Sequence, residues 1–193
     1  MHVIGSSACP EPSVSDWDAY GIEGRPLPVA WRAAGFVVVF SVLQLAWQGL
    51  GGGRLEYFVI HTCTVTPAAL LVNLLTPGAR ASASGYVLQA RGGGLNILNG
   101  CEGLEALFLV LAAFTVARLE WRRRLAGMAV GMLVVFVVNQ ARILALFYAF
   151  RASPPLFDTL HATVTPIAVI VIVCCYFYAW LAHASRRSVA ETP

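Results

Sequence analysis

Five apolar stretches, set apart by clusters of glycine, arginine and proline, give this chain its pattern. The first covers residues 31–50 and ends at Gly51-Gly52-Gly53-Arg54. The second, residues 55–77, is apolar but carries Glu56, His61, Cys63, four threonines, Pro67 and Asn73. A loop rich in small and polar residues follows over 79–100, with Arg80, Arg91 and Gly92-Gly93-Gly94. Within it, residues 86–90 and 95–98 alternate well enough to predict two short strands around the glycines. The third stretch, 104–119, is closed by Trp121-Arg122-Arg123-Arg124, and the fourth, 125–150, contains Asn139 and Arg142. A short loop over 151–158 holds Pro154-Pro155, and the fifth stretch, 160–183, precedes Arg186-Arg187.

A hydrocarbon layer ~30 Å thick takes about 20 mostly apolar helical residues to cross. Several of these stretches reach or approach that length, which predicts an all-α, polytopic transmembrane bundle of four to five spans. The mixed stretch at 55–77 can cross, or lie partly embedded at the outer surface; the second arrangement, four full spans plus one partly embedded helix, is favoured. Composition agrees: 58% of residues are hydrophobic and 12% charged, against about 25% charged in soluble domains. Residues 1–28, with four prolines and no early apolar core, read as a polar N-terminal tail without a cleavable signal. Residues 29–184 form the membrane domain and 185–193 a short C-terminal tail.

The net charge of +3 argues for no nucleic-acid partner, because the arginines sit beside spans, where they orient the protein in the bilayer. Arg122–Arg124 and Arg186–Arg187 place two loops on the cytoplasmic side, and Cys101, Arg151 and His161 then fall outside. If residues 55–77 stay at the outer surface, the N-terminal tail with Arg25 is cytoplasmic too. The five cysteines, Cys9, Cys63, Cys101, Cys174 and Cys175, have the spacing of neither a disulfide framework nor a zinc site, and no metal or cofactor is expected. Cys174 and Cys175, in mid-span, read as small packing residues.

The candidate chemistry lies where the apolar runs begin and end. Cys101 follows Asn99-Gly100 and precedes Gly103, an approach to a helix start whose positive dipole end favours thiolate. Arg142 lies inside an apolar run, about 12 Å below its outer end at 1.5 Å per residue, and an intramembrane arginine asks for a reason. Asn139, three residues earlier, shares its face, so the pair also reads as an interhelical clamp. His161 opens the last run at the depth of Cys101; His61 and His183 read as structural. A thiol, an imidazole and a guanidinium are the parts that attack a carbonyl, move a proton and hold an oxyanion.

These residues resemble the exosortase/archaeosortase family, multi-span cysteine enzymes of prokaryotic membranes. The family pattern is an active-site Cys in a Cys-Ser-Gly-Leu-like motif at a span start, an Asn-x-x-Arg motif in the next span and a His opening the last. Here these are Cys101-Glu102-Gly103-Leu104, Asn139-Gln140-Ala141-Arg142 and His161, and the resemblance spans about residues 30–183. The stretches Asn99–Gly103 and Arg142–Tyr148 are similar to the short XrtM-type members. Glu102 and Glu105 depart from the pattern, where the wider family often has Ser and a basic residue. They are expected to raise the pKa of Cys101 or to pair with Arg91 or Arg142.

The resemblance implies a cysteine protease/transpeptidase in the inner membrane with its active site on the periplasmic face. Its implied partners are exported proteins with a C-terminal motif, a transmembrane helix and a basic tail. It gives Cys101 the role of nucleophile, Arg142 that of oxyanion stabiliser and His161 that of proton shuttle, with Asn139, Glu102 and Glu105 in support. Two other readings of the residues stay open: a non-enzymatic transport or assembly subunit, and a Cys-dependent membrane acyltransferase.

Overall fold

The computed structural model describes residues 29–97 and 101–190, with side chains to residue 184. The N-terminal tail with Cys9, residues 98–100 and residues 191–193 lie outside this range. Helix α1 is Val29–Gly49. Helix α2 is Arg54–Leu75, with a π-helical stretch at Phe58–Val65. A small sheet follows, β1 (Ser82–Ser84), β2 (Val87–Ala90) and β3 (Gly93–Asn96). Helix α3 is Leu104–Val116 and α4 is Trp121–Ala152. The last helix, α5, is made of Pro154–Thr159, a π-helical turn at Leu160–Val164 and Thr165–Ala190.

Four of these helices, Val29–Gly49, Arg54–Leu75, Trp121–Ala152 and Pro154–Ala184, are long and apolar enough to cross a bilayer. Their outward faces are apolar: Leu45, Leu74, Leu133, Val137 and Ile167 are all more than half exposed, and α1 has no buried residue at all. Such a surface is stable only in a solvent as apolar as itself. The chain is a polytopic, all-α membrane protein.

The contacts fix which helix ends lie together. Near the start of α1, Gly35 lies against Val116 at the end of α3. Gln44 and Gln48, near the end of α1, face Leu104 and Glu105 at the start of α3 across a small cavity. The two helices are therefore antiparallel. Helix α2 behaves differently. Its first residues share that cavity with Glu102 and Glu105 through Gly51 and Glu56. Just past its last residue, Thr76 hydrogen-bonds to Tyr148 near the end of α4 at 2.9 Å. Both ends of α2 thus lie at the Cys101 end of the bundle, and it leans across that end without running its full depth.

The polar residues that made this stretch ambiguous explain the tilt, because they hold the sheet. Asn73 Nδ2 donates to Ala81 O and Asn73 Oδ1 accepts from Ala81 N, each at 2.7 Å. The His61 ring is bonded through Nδ1 to Gly85 O at 2.9 Å and stacks on Tyr57. From the other side, Arg151 donates to Arg91 O at 2.6 Å. The register pairs Leu88 with Leu95. Both are buried with Ile97 against Ile143, Leu146 and Phe147 of α4, so the hairpin is a fitted cap over one end of the bundle. The two expected strands are present, and β1 adds a third.

Four expected boundaries change. The third apolar stretch, read to residue 119, stops being helical at Val116, and Ala117 is extended. The Arg124 guanidinium donates to Ala117 O and Leu119 O, and so satisfies carbonyls at the end of the helix. Its 13 residues span only about 20 Å, the shortest of the membrane helices. Arg122–Arg124 are not a loop but the first turn of α4; Glu120 meets Arg123 at 3.6 Å on the surface. The loop expected over 151–158 shrinks to Ser153, whose Oγ accepts from Leu156 N with Pro154 in the first helical turn. At the far end α5 runs on to Ala190, so residues 185–190, read as tail, continue a helix.

Below the cap, α3, α4 and α5 pack through small residues. A Cβ added at Gly127 would lie 2.3 Å from Phe114, and one at Gly131 would lie 2.7 Å from Val110. This Gly-x-x-x-Gly face lets the backbones approach. Phe114 then meets Tyr176, Phe177 and Trp180 of α5 at 5.1–6.2 Å between ring centroids. Cys174 and Cys175 are exposed, so they face outward from the bundle and are not the packing residues expected from their mid-span position.

Candidate active site

Three elements bring the candidate residues together beneath the hairpin. Cys101 lies in the bend before α3 and packs against the hairpin core. Gly103 is the N-cap of α3, in the left-handed region at φ 81°. A Cβ there would fall 2.7 Å from Asn139 Cγ, so glycine is required twice, for its backbone and for the contact. This contact brings the start of α3 against the Asn-x-x-Arg face of α4. From α5, the ring of His161 reaches the thiol: Cys101 Sγ lies 4.0 Å from His161 Nδ1. That distance is at the long limit for a sulfur hydrogen bond.

The sequence around His161 explains its placement. Phe157, four residues earlier, stacks on the ring with centroids 5.4 Å apart and planes within 4°. The turn carrying His161 is π-helical, an insertion that re-aims side chains and recurs at functional sites. Arg142 donates through Nε to Thr165 Oγ1 at 3.2 Å, so α5 fixes both the imidazole and the guanidinium.

Electrostatics at the thiol run against the expected dipole effect. Burial pushes the Cys101 pKa up; the Arg142 guanidinium pulls it down; the carboxylates of Glu102 and Glu105 push it up again. The net direction is upward. Cys101 lies two residues before the N-cap, outside the first turn where the dipole acts, and desolvation disfavours the thiolate. The rise in thiol pKa expected of Glu102 and Glu105 is present.

Asn139, buried to 4% exposure, packs on Gly103. Its neighbour Gln140, equally buried, donates through Nε2 to Cys63 O and Thr64 O in the π-helical part of α2. His61 is taken up by the hairpin, and His183 lies with Arg122 and Trp180 at the opposite end. Among the described residues no group of three or more His, Cys, Asp or Glu could hold a metal ion.

Residues 25–180 match the family described as Transmembrane exosortase (Exosortase_EpsH). The chain belongs to that family. No curated protein and no solved structure matches it significantly. In this exosortase the three sequence candidates, Cys101, Arg142 and His161, converge from three separate elements. Three contributors were missed. Thr165 follows His161 by four residues and Phe157 precedes it by four, so helical spacing alone would have placed both on the histidine's face. Gln140 carried no such signal, since its partners are main-chain carbonyls of a π-helix that no periodicity announces.

Proposed function

We propose that this exosortase is a membrane-embedded cysteine protease and transpeptidase that cleaves a C-terminal sorting signal of exported proteins. The observation that carries the reading is the 4.0 Å approach of Cys101 Sγ to His161 Nδ1, joining residues 60 apart in sequence. In the proposed reaction His161 takes the thiol proton as Sγ attacks the scissile carbonyl. Arg142, held through Nε by Thr165, donates to the oxyanion. The C–N bond then breaks, His161 returns the proton to the leaving amine, and a thioester remains on Cys101. An amine or a lipid-linked nucleophile attacks that thioester, transfers the substrate and restores the thiol. Asn139 positions the start of α3 through Gly103, and burial, reinforced by Glu102 and Glu105, disfavours the resting thiolate. The chain's Asn99–Gly103 and Arg142–Tyr148 stretches favour the short XrtM-type among exosortases.

The substrates of this reading are exported proteins with a C-terminal motif, a transmembrane helix and a basic tail. The membrane is the prokaryotic cytoplasmic (inner) membrane, and the site faces the periplasm. The arginines at the start of α4 support this orientation. So does α1, whose first turns with Arg32 lie beside the end of α3, at the same end of the bundle as Arg122. Replacing Cys101 by Ala is expected to abolish in-cell processing of a cognate substrate while the protein still inserts. Unimpaired processing by Cys101→Ala would overturn the reading.

A further inference from the structure

An apolar cleft of about 660 Å³ adjoins the site, between α2, α3 and α4. Glu102 and Gly103, the two residues after Cys101, form part of its wall. From there the lining descends α4 through Asn139, Phe136 and Met132 to Ala129. Ten residues of helix make that descent about 15 Å, toward the Arg122 end. Met132, Leu133 and Phe136 are 50%, 62% and 41% exposed, so the cleft opens sideways onto the bilayer.

Two polar groups stand out in this wall. Among the described residues, Asn139 and Gln140, each 4% exposed, keep an amide oxygen with no hydrogen-bond partner. The orientation of Gln140 is fixed, because its Nε2 faces two main-chain carbonyls that can only accept. A buried amide oxygen left unpaired is costly, so the pair calls for an N–H donor. A lipid acyl chain offers none. The middle of a helix has none to spare. The first turn of a helix, however, has four N–H groups without intrahelical partners, and in hydrocarbon they must find acceptors.

We propose that the cleft seats the first turns of the substrate's transmembrane helix, the apolar residues directly after the scissile bond. Their free N–H groups donate to Asn139 Oδ1 and Gln140 Oε1. The helix descends along Phe136 and Met132, and the peptide bond before it is presented to Cys101. This rests on the transpeptidase reading and adds the position of the leaving segment. Asn139 and Gln140 are then positioning residues that recognise backbone, so substrates are selected for an apolar helix start and not for particular side chains there.

Photo-crosslinking in host membranes tests the placement. A benzoylphenylalanine at position 133 of the full-length protein carrying Cys101→Ala is expected to capture the uncleaved substrate. The adduct should map within about two turns after the bond that the wild-type enzyme cleaves. The same probe at position 74, on the exposed outer side of α2, should give no such adduct. Phospholipid adducts alone at 133, or a peptide adduct before the cleaved bond, would overturn the inference. Failure of the wild-type enzyme to cleave anything would sink the transpeptidase reading instead.

The captured substrate, synthesised with an ester in place of each of its first four post-cleavage amides, tests the acceptors. At one or two positions the ester should cost wild-type enzyme about 3- to 10-fold in kcat/KM, one hydrogen bond's worth. In Gln140→Leu or Asn139→Leu the ester-to-amide ratio at the matching position should return to about 1. The comparison is internal to each variant, so a general folding defect cancels. Equal ester penalties in wild type and variants would overturn the inference.

Discussion

The thiol of Cys101 is held in a contest between burial and a single cation. Burial raises its pKa, Arg142 lowers it, and Glu102 and Glu105 raise it further. Below a raised pKa the neutral thiol predominates, so alkylation by a small reagent should speed up with pH, with a midpoint above the ordinary cysteine value of about 8.5. Removing a carboxylate weakens an upward push, so Glu102→Gln should move the midpoint down. Removing the guanidinium removes the downward pull, so Arg142→Gln should move it up. Rates of iodoacetamide labelling in membranes, measured across pH for all three proteins, check both signs. Shifts of the opposite sign would mean that these groups do not act on the thiol as charges. The sequence made Cys101, Arg142 and His161 legible, because an unusual residue in an apolar run is conspicuous. It anticipated the upward push of Glu102 and Glu105 but not that of burial, because burial beneath the hairpin is a tertiary fact that a helix-start pattern does not carry.

Both π-helical stretches present a histidine, and the two do different work at the scale of the element. In α2, the π stretch Phe58–Val65 turns His61 toward Gly85 of the hairpin and leaves main-chain carbonyls for Gln140. In α5, the turn Leu160–Val164 turns His161 toward Cys101. His61→Ala is therefore expected to loosen the cap, lowering Tm by several degrees through one lost hydrogen bond and a ring stack, with a modest loss of turnover. His161→Ala should leave Tm nearly unchanged and cut single-turnover cleavage by about 10²–10⁴-fold. Thermal melts and single-turnover assays on both variants in lipid separate the roles; equal, mild losses in both would leave the proton shuttle unassigned. The helices were readable from the apolar runs. The π turns were not, because one inserted residue changes the direction of a side chain without changing hydrophobicity. The early stop of α3 at Val116 was missed, since apolar Ala117 and Leu119 flank Arg118 and carry the run past the helix end.

For the whole molecule, the sequence left one ambiguity, and the contacts bear on it in physical terms. Residues 54–75 are long and apolar enough to cross, yet their polar side chains bind a hairpin at one end of the bundle, so both helix ends stay there. That puts the start of α1 at the end that carries Arg122–Arg124. Reporter fusions at residues 28 and 122 should both read cytoplasmic and one at 155 external. An external signal at 28 with a cytoplasmic one at 122 would mean that α2 crosses after all. In the proposed topology the hairpin, Cys101 and the mouth of the apolar cleft share the outer side, where an exported substrate tethered by its helix is expected to arrive.

The central claim is that Cys101 forms a thioester with the exported substrate, and the most direct measurement is the mass of that intermediate. Acid-quenched enzyme, taken during turnover in lipid and digested, should carry a substrate-derived acyl group on the Cys101 peptide. The adduct should be released by neutral hydroxylamine and be absent from Cys101→Ala. An acyl peptide on Cys101 is the result predicted here. A fatty acyl group on Cys101, or turnover with no adduct on Cys101 at any time, would contradict the account.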